Sequence, residues 1–178
     1  MRIHWERALL PPRADSLVSS LPDVLAHVGR CLPHDEALVV WDAAVRRSLA
    51  TESELRRIRW VSPTHRQLAV ETSRLSESII ETLAVDALRH AGIPVQQQVK
   101  PLGIPVDALV GERLVLQFDG QEFHAGALQR SFDAKHDARL VLDGFHVLRF
   151  TYADVVERRP ELIDRVRRAI AQGLDRAH

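Results

Sequence analysis

Ile104-Pro105-Val106-Asp107-Ala108-Leu109-Val110-Gly111-Glu112-Arg113-Leu114-Val115-Leu116-Gln117-Phe118-Asp119-Gly120 holds two short apolar runs on either side of a Gly-Glu-Arg connector. Runs of this length bounded by turn residues read as β-strands, and the connector suits a hairpin. Polar residues stand where an apolar strand should not carry them. Asp107 interrupts the first run, and a carboxylate there is costly unless it is paired or bound to a cation. In the second run Gln117 and Asp119 lie two apart and share one face of the strand. Gly120 permits a sharp exit, and His124 follows within a turn.

The pattern continues on both sides. Upstream, Ser78-Ile79-Ile80-Glu81 starts an amphipathic helix with Leu83, Ala87, Leu88 and Ala91 at helical spacing. Gly92 is placed to cap it and Pro94 prevents its resumption. Val95 to Lys100 reads as another strand. Downstream, a helix is expected from Gly126 to Leu142, a fourth strand from Phe145 to Phe150, and a last helix from Pro160 to about Ala177. A meander followed by a strand–helix–strand unit implies an α/β fold with a mixed sheet. Residues 1–75 read instead as short helices, opened by Ser20-Leu21-Pro22, Pro33-His34-Asp35-Glu36, Thr51-Glu52-Ser53-Glu54 and Pro63. Two regions are therefore expected, a helical one over 1–75 and an α/β one over 76–178.

Composition narrows the class. The 178 residues are 46% hydrophobic and 27% charged, too apolar for a disordered chain. No run of about 18 apolar residues is present to span a membrane, and the first residues lack a signal-peptide pattern, so a cytoplasmic protein is expected. Cys31 is the single cysteine, which excludes an intrachain disulfide and a thiolate zinc cluster. The 24 basic and 24 acidic residues balance, which excludes a binder working by bulk positive charge. All but Lys100 and Lys135 of the cations are arginines. They cluster from Arg46 to Arg74, whereas acids dominate from Gly103 to Asp137.

Asp107, Asp119 and Glu81 with a histidine offer the oxygen-rich ligand set that a hard divalent cation takes. Such a cation activates water and stabilises charge on a cleaved phosphodiester. Each residue also has a structural reading: Glu81 closes a capping box with Ser78, Asp107 pairs with an arginine, Asp119-Gly120 is a turn. Asp133 and Asp137 share a helix face, and Lys135 lies between them. Arg149, inside Val147-Leu148-Arg149-Phe150, is expected to end at the sheet rim. Arg130, Lys135 and Arg149 are the cations available to a phosphate.

Ser76-Glu77-Ser78-Ile79-Ile80-Glu81, Ala91-Gly92-Ile93-Pro94, Gln98, Val106-Asp107, Leu116-Gln117-Phe118-Asp119-Gly120, His124, Asp133 to Asp137 and Gly144-Phe145-His146-Val147-Leu148-Arg149-Phe150-Thr151 together resemble the bacterial domain of unknown function family 559. That family is similar to very short patch repair (Vsr) endonucleases of the PD-(D/E)XK restriction-endonuclease-like superfamily. The resemblance covers roughly residues 76–172, and residues 16–75 resemble the helical region that precedes this domain in many members. It implies a restriction-endonuclease-like αβββαβ core. It implies that Asp107 matches the superfamily's metal-binding aspartate and that Asp119 matches a polar position after the third strand. By the same resemblance His124 aligns with a catalytic histidine, Glu81 matches a helix-borne glutamate, and the Phe118 backbone carbonyl falls where those enzymes use a main-chain metal ligand. The chain departs from the pattern at three places. Gln117 stands where members usually carry Glu, Ala134 where an Arg is expected, and Asp119 where the motif lysine would be.

Two functions follow as expectations. The first is a Mg²⁺- or Mn²⁺-dependent DNA endonuclease in repair or defence. Asp107 and Asp119 hold the metal with help from Glu81, Gln117 and the Phe118 carbonyl; His124 moves a proton or binds the scissile phosphate; Lys135, Arg149 and Arg130 contact phosphate. The second is a weakly active or inactive nuclease fold that binds nucleic acid, or a protein partner or second copy, in a toxin–antitoxin or phage-defence setting.

Overall fold

A computed structural model describes residues 8–9, 18–119 and 127–177, the stretch 127–134 by its backbone alone. The chain divides into two compact units between Arg74 and Leu75. No helix among the described residues is long and apolar enough to cross a membrane.

Among the described residues, the first unit holds four helices: α1 (Leu21–Cys31), α2 (His34–Arg46), α3 (Glu52–Arg57) and α4 (Pro63–Glu71). Their starts follow local chemistry. The Ser20 hydroxyl accepts the Asp23 N–H at the head of α1. Thr51 and Glu54 form a reciprocal capping box on α3. Trp41 is fully buried at the centre, among Leu25, Leu38, Leu55 and Leu68. Its indole N–H donates to the Leu25 carbonyl at 3.1 Å, and that of Trp60 donates to the Leu55 carbonyl at 2.7 Å, so neither ring buries an unpaired donor. The two rings lie 4.8 Å apart, and buried His65 packs against both. Burial holds the His65 pKa below the usual imidazole range.

The second unit is α/β. Helix α5 (Ile79–His90) precedes strands β1 (Gln96–Val99), β2 (Val106–Val110) and β3 (Leu114–Asp119); then come α6 (Ala127–Leu142), β4 (His146–Thr151), α7 (Tyr152–Val156) and α8 (Arg159–Ala171). A single 3-10 turn, Pro101–Gly103, joins β1 to β2. The sheet runs β1-β2-β3-β4, antiparallel in its first two pairings and parallel between β3 and β4. Side chains alternate across it. Leu109, Val115 and Val147 meet Leu140 of α6 on one face. On the other, Phe118 stacks on Phe150 at 6.1 Å, and the Arg165 guanidinium of α8 lies 4.6 Å over the Phe150 ring. Helix α5 packs on β3, burying Ile80, Leu83, Ala84 and Leu88.

Two elements differ from the expectation. Helix α7 is additional: the Thr151 hydroxyl accepts the Asp154 N–H, and Asp154 accepts the Thr151 N–H in return, a capping box that starts a turn immediately after β4. The last helix ends at Ala171 rather than near Ala177. Gly173, at φ 75°, lets the Leu174 N–H turn back onto the Ala169 carbonyl. The chain then runs to the β2–β3 turn, where the Asp175 carbonyl accepts the N–H groups of Glu112 and Arg113 at 2.7 and 3.2 Å.

Gly111 makes that clasp possible. It sits at φ +62°, and a Cβ there would lie 2.4 Å from the Asp175 carbonyl oxygen. Gly111→Ala therefore combines a disfavoured left-handed conformation with loss of the clasp, an expected cost of about 2–3 kcal/mol. Urea denaturation reads this as a lowered midpoint; a change below about 0.5 kcal/mol, the size of an ordinary surface substitution, contradicts the clasp.

Candidate metal and phosphodiester site

The hairpin register decides which polar groups meet. The β2–β3 ladder ends with Ala108 against Leu116, and just beyond it the Asp107 N–H reaches Gln117 Oε1 at 3.4 Å. Gln117 in turn pairs in parallel register with Arg149, and Asp119 with Thr151. Asp107, Gln117, Asp119 and Arg149 therefore share the face of the sheet that α6 covers.

Asp107 ties the two strands together. Its Oδ2 accepts the Phe118 N–H at 2.7 Å, and its own N–H makes a long 3.4 Å bond to Gln117 Oε1. The carboxyl group is pushed up to about 6 from an ordinary 3.8. Burial is the main cause, and the charges of Glu81 and Asp119 add to it. The Phe118 N–H and, more weakly, Arg149 act in the opposite direction without cancelling it. Among the described residues, Asp107 forms no ion pair.

Asp119 has a different environment. Arg149 Nη1 reaches its two carboxylate oxygens at 2.9 and 3.1 Å. The same guanidinium grips Asp137 of α6 through Nε at 2.7 Å and Nη2 at 3.1 Å. One half-buried cation thus bridges two carboxylates from different elements, and both raise its already high pKa. The Arg149 fork is engaged with these two carboxylates of the protein.

Glu81 is buried, and its carboxylate takes the Ser78 hydroxyl and the Glu77 N–H, each at 2.8 Å, while the Ser78 hydroxyl accepts the Glu81 N–H. It caps α5 and also lies close enough to raise the Asp107 pKa. Lys135 is exposed on α6. His124 and the side chain of Arg130 lie outside the described residues. The Phe118 backbone stands in the β3–β4 ladder opposite Phe150.

Asp137 is the residue whose partner sequence reasoning misses, since spacing alone shows only that it shares a helix face with Asp133. Leu140, three positions on, is fully buried in the core under α6, and that spacing marks the sheet-facing side of the helix.

Among the described residues, the face offers the oxygens of Asp107, Asp119 and Gln117 beside the Arg149 guanidinium, with Glu81 nearby. This is a donor set for Mg²⁺ or Mn²⁺ and not for a soft metal. Asp107 in particular is a carboxylate that its surroundings leave under-compensated, so by donor chemistry the face suits a hard divalent cation, while Asp107, Asp119 and Glu81 do not form a group of ligand atoms within 4.8 Å of one another. This chain matches no family model, and no curated protein or solved structure shows significant similarity to it.

Proposed function

We propose that this protein is a metal-dependent DNA endonuclease with a restriction-endonuclease-like core, of the Vsr-like PD-(D/E)XK kind. The helix, three strands, helix and strand from α5 to β4 support the αβββαβ reading. The observation that carries the functional reading is Asp107: a half-buried carboxylate with a pKa near 6, on one face of the sheet with Gln117 and Asp119. Its bond to the Phe118 N–H does not offset the cost of burying the charge, and perturbed carboxylates of this type concentrate at catalytic sites.

In this reading Asp107, Asp119, the Gln117 amide oxygen and the Phe118 carbonyl hold Mg²⁺ or Mn²⁺. When bound, the cation lowers the pKa of a ligated water and stabilises charge on the phosphate. Asp107 is oriented for this by the Phe118 N–H, and Glu81 is held by its cap where it adds negative potential. His124 moves a proton, and Lys135 and Arg130 steady the phosphate. The experiment is nicking of supercoiled, mismatched or branched DNA by purified protein with Mg²⁺ or Mn²⁺. Absence of nicking on all three substrates overturns the proposal.

Gln117 lowers the charge of the donor set by one. Gln117→Glu should tighten Mn²⁺ binding by roughly tenfold, the scale of one charge-assisted contact, in isothermal titration calorimetry. Unchanged affinity would remove Gln117 from the metal shell.

A second reading rests on the Arg149 bridge. A guanidinium on Asp119 is what a nuclease fold without catalysis would keep in place of a metal, retaining nucleic acid or a protein as its partner. No heat of binding at millimolar Mg²⁺ or micromolar Mn²⁺ favours that reading over the first.

A further inference from the structure

We propose that Arg149 is a built-in competitor of the divalent cation: its guanidinium and the metal contend for Asp119, so a cation enters only as the Arg149–Asp119 contact is released. The inference deepens the metal-dependent reading and rests on it for the identity of the cation.

The geometry gives the reason. Nη1 of Arg149 spans the two oxygens of Asp119, occupying the side of the carboxylate that a cation would need. The remaining nitrogens, Nε and Nη2, hold Asp137 in a separate two-point contact. The two grips differ in consequence. If Nη1 lets go of Asp119, Arg149 stays anchored through Asp137 and its positive charge stays beside the site. Because Nε and Nη2 pin the rigid planar guanidinium to Asp137, release comes from the Asp119 carboxylate turning away from Nη1, and it needs neither strand separation nor movement of α6. A planar five-donor guanidinium can hold two carboxylates at once in this forked geometry, which an ammonium cannot reproduce.

Asp107 and Asp119 differ accordingly. Asp107 takes one backbone N–H and, among the described residues, no guanidinium, so it is available to a cation at once, whereas Asp119 is contested. Metal binding is then expected to be weak for a site with this many oxygens. A phosphate that attracts the freed Nη1 would favour the same rearrangement, because a ligand that binds only the released state shifts the equilibrium towards it.

Calorimetric titration of Mn²⁺ into wild-type protein, Arg149→Met and Arg149→Lys, without DNA, tests the proposal. Circular dichroism first verifies that each variant is folded. Arg149→Met should bind Mn²⁺ on the order of tenfold more tightly than wild type, the scale of a lost charge-assisted contact. Arg149→Lys keeps the charge but loses the two-carboxylate fork, so it too should bind more tightly, by a smaller factor. If the affinity of the Arg149→Lys variant equals that of wild type, net charge alone explains the Arg149→Met result and the competition is refuted. Equal or weaker binding by Arg149→Met also refutes it. If wild type binds no Mn²⁺ while Arg149→Met does, the competition stands and the metal-dependent endonuclease reading falls. If wild type binds and neither variant improves, only the competition falls. If no form binds, both fall.

Discussion

Asp107→Asn should abolish metal-dependent nicking and at the same time make the protein more stable at pH 7.5. The loss of activity follows from removing the least compensated carboxylate of the donor set. Loss of one preorganised electrostatic contact in an active site typically costs about 10²–10³-fold in rate. The gain in stability follows from the raised pKa. Asp107 titrates near 6 when folded against an ordinary 3.8, so the folded state holds the proton more tightly than the unfolded chain. This contribution favours folding fully below about pH 4 and is lost as pH rises through about 6. At pH 7.5 the ionised carboxylate thus destabilises the fold by about 2–3 kcal/mol. An amide in its place carries no charge to bury, and its oxygen can still accept the Phe118 N–H. Urea midpoints should therefore separate the variant from wild type at pH 7.5 and bring them together near pH 4. A variant less stable than wild type at both values would show that the carboxylate is a structural pair and not a functional liability.

Trp41→Ala should cost about 3–5 kcal/mol, the range for truncating a fully buried large aromatic. Three separate losses act together. The core among Leu25, Leu38, Leu55 and Leu68 gains a cavity that the surrounding helices cannot easily close. The Leu25 carbonyl loses its indole donor. Trp60 and His65 lose the ring they pack against. A cost of this size is a large part of the total stability of a small domain. Fluorescence of the remaining tryptophans during denaturation reads it, and Trp41→Phe should recover more than half. A loss below about 1.5 kcal/mol would mean that the first unit is held together by something other than this cluster.

Periodicity alone makes much of the second unit legible. Two-residue alternation places Gln117 and Asp119 on one face, and the short connector at Gly111 implies the hairpin that sets the Asp107 strand beside theirs. Helical spacing finds α5 and α6 within about a residue. Less visible is the choice of partners across long separations. Arg149 meets Asp119 because β3 and β4 run parallel in a register that no local pattern encodes, and it meets Asp137 because Leu140 turns that side of α6 inward. Both acids stand out in the sequence, one as a metal ligand and one as sharing a helix face with Asp133, yet a shared guanidinium depends on tertiary placement. The capping box at Thr151 and the glycine at 173 are written in the sequence but do not announce themselves. Each is a short-range signal whose weight depends on where the sheet ends, and the sheet end is itself a tertiary fact.

The parallel edge strand has a kinetic consequence. Strands β1, β2 and β3 are joined by short turns and can assemble from neighbouring stretches of chain. Strand β4 reaches β3 only after α6 has crossed the sheet, so Arg149 closes a separation of 30 residues when it meets Asp119. Contacts that bridge so much chain incur their loop-closure entropy before any reward and tend to come late. Until β4 docks, Asp119 lacks its internal counter-ion, and a partial opening that frees this edge returns it to that condition. The nascent meander thus exposes its acids to passing cations before the finished molecule has an arginine to contest them.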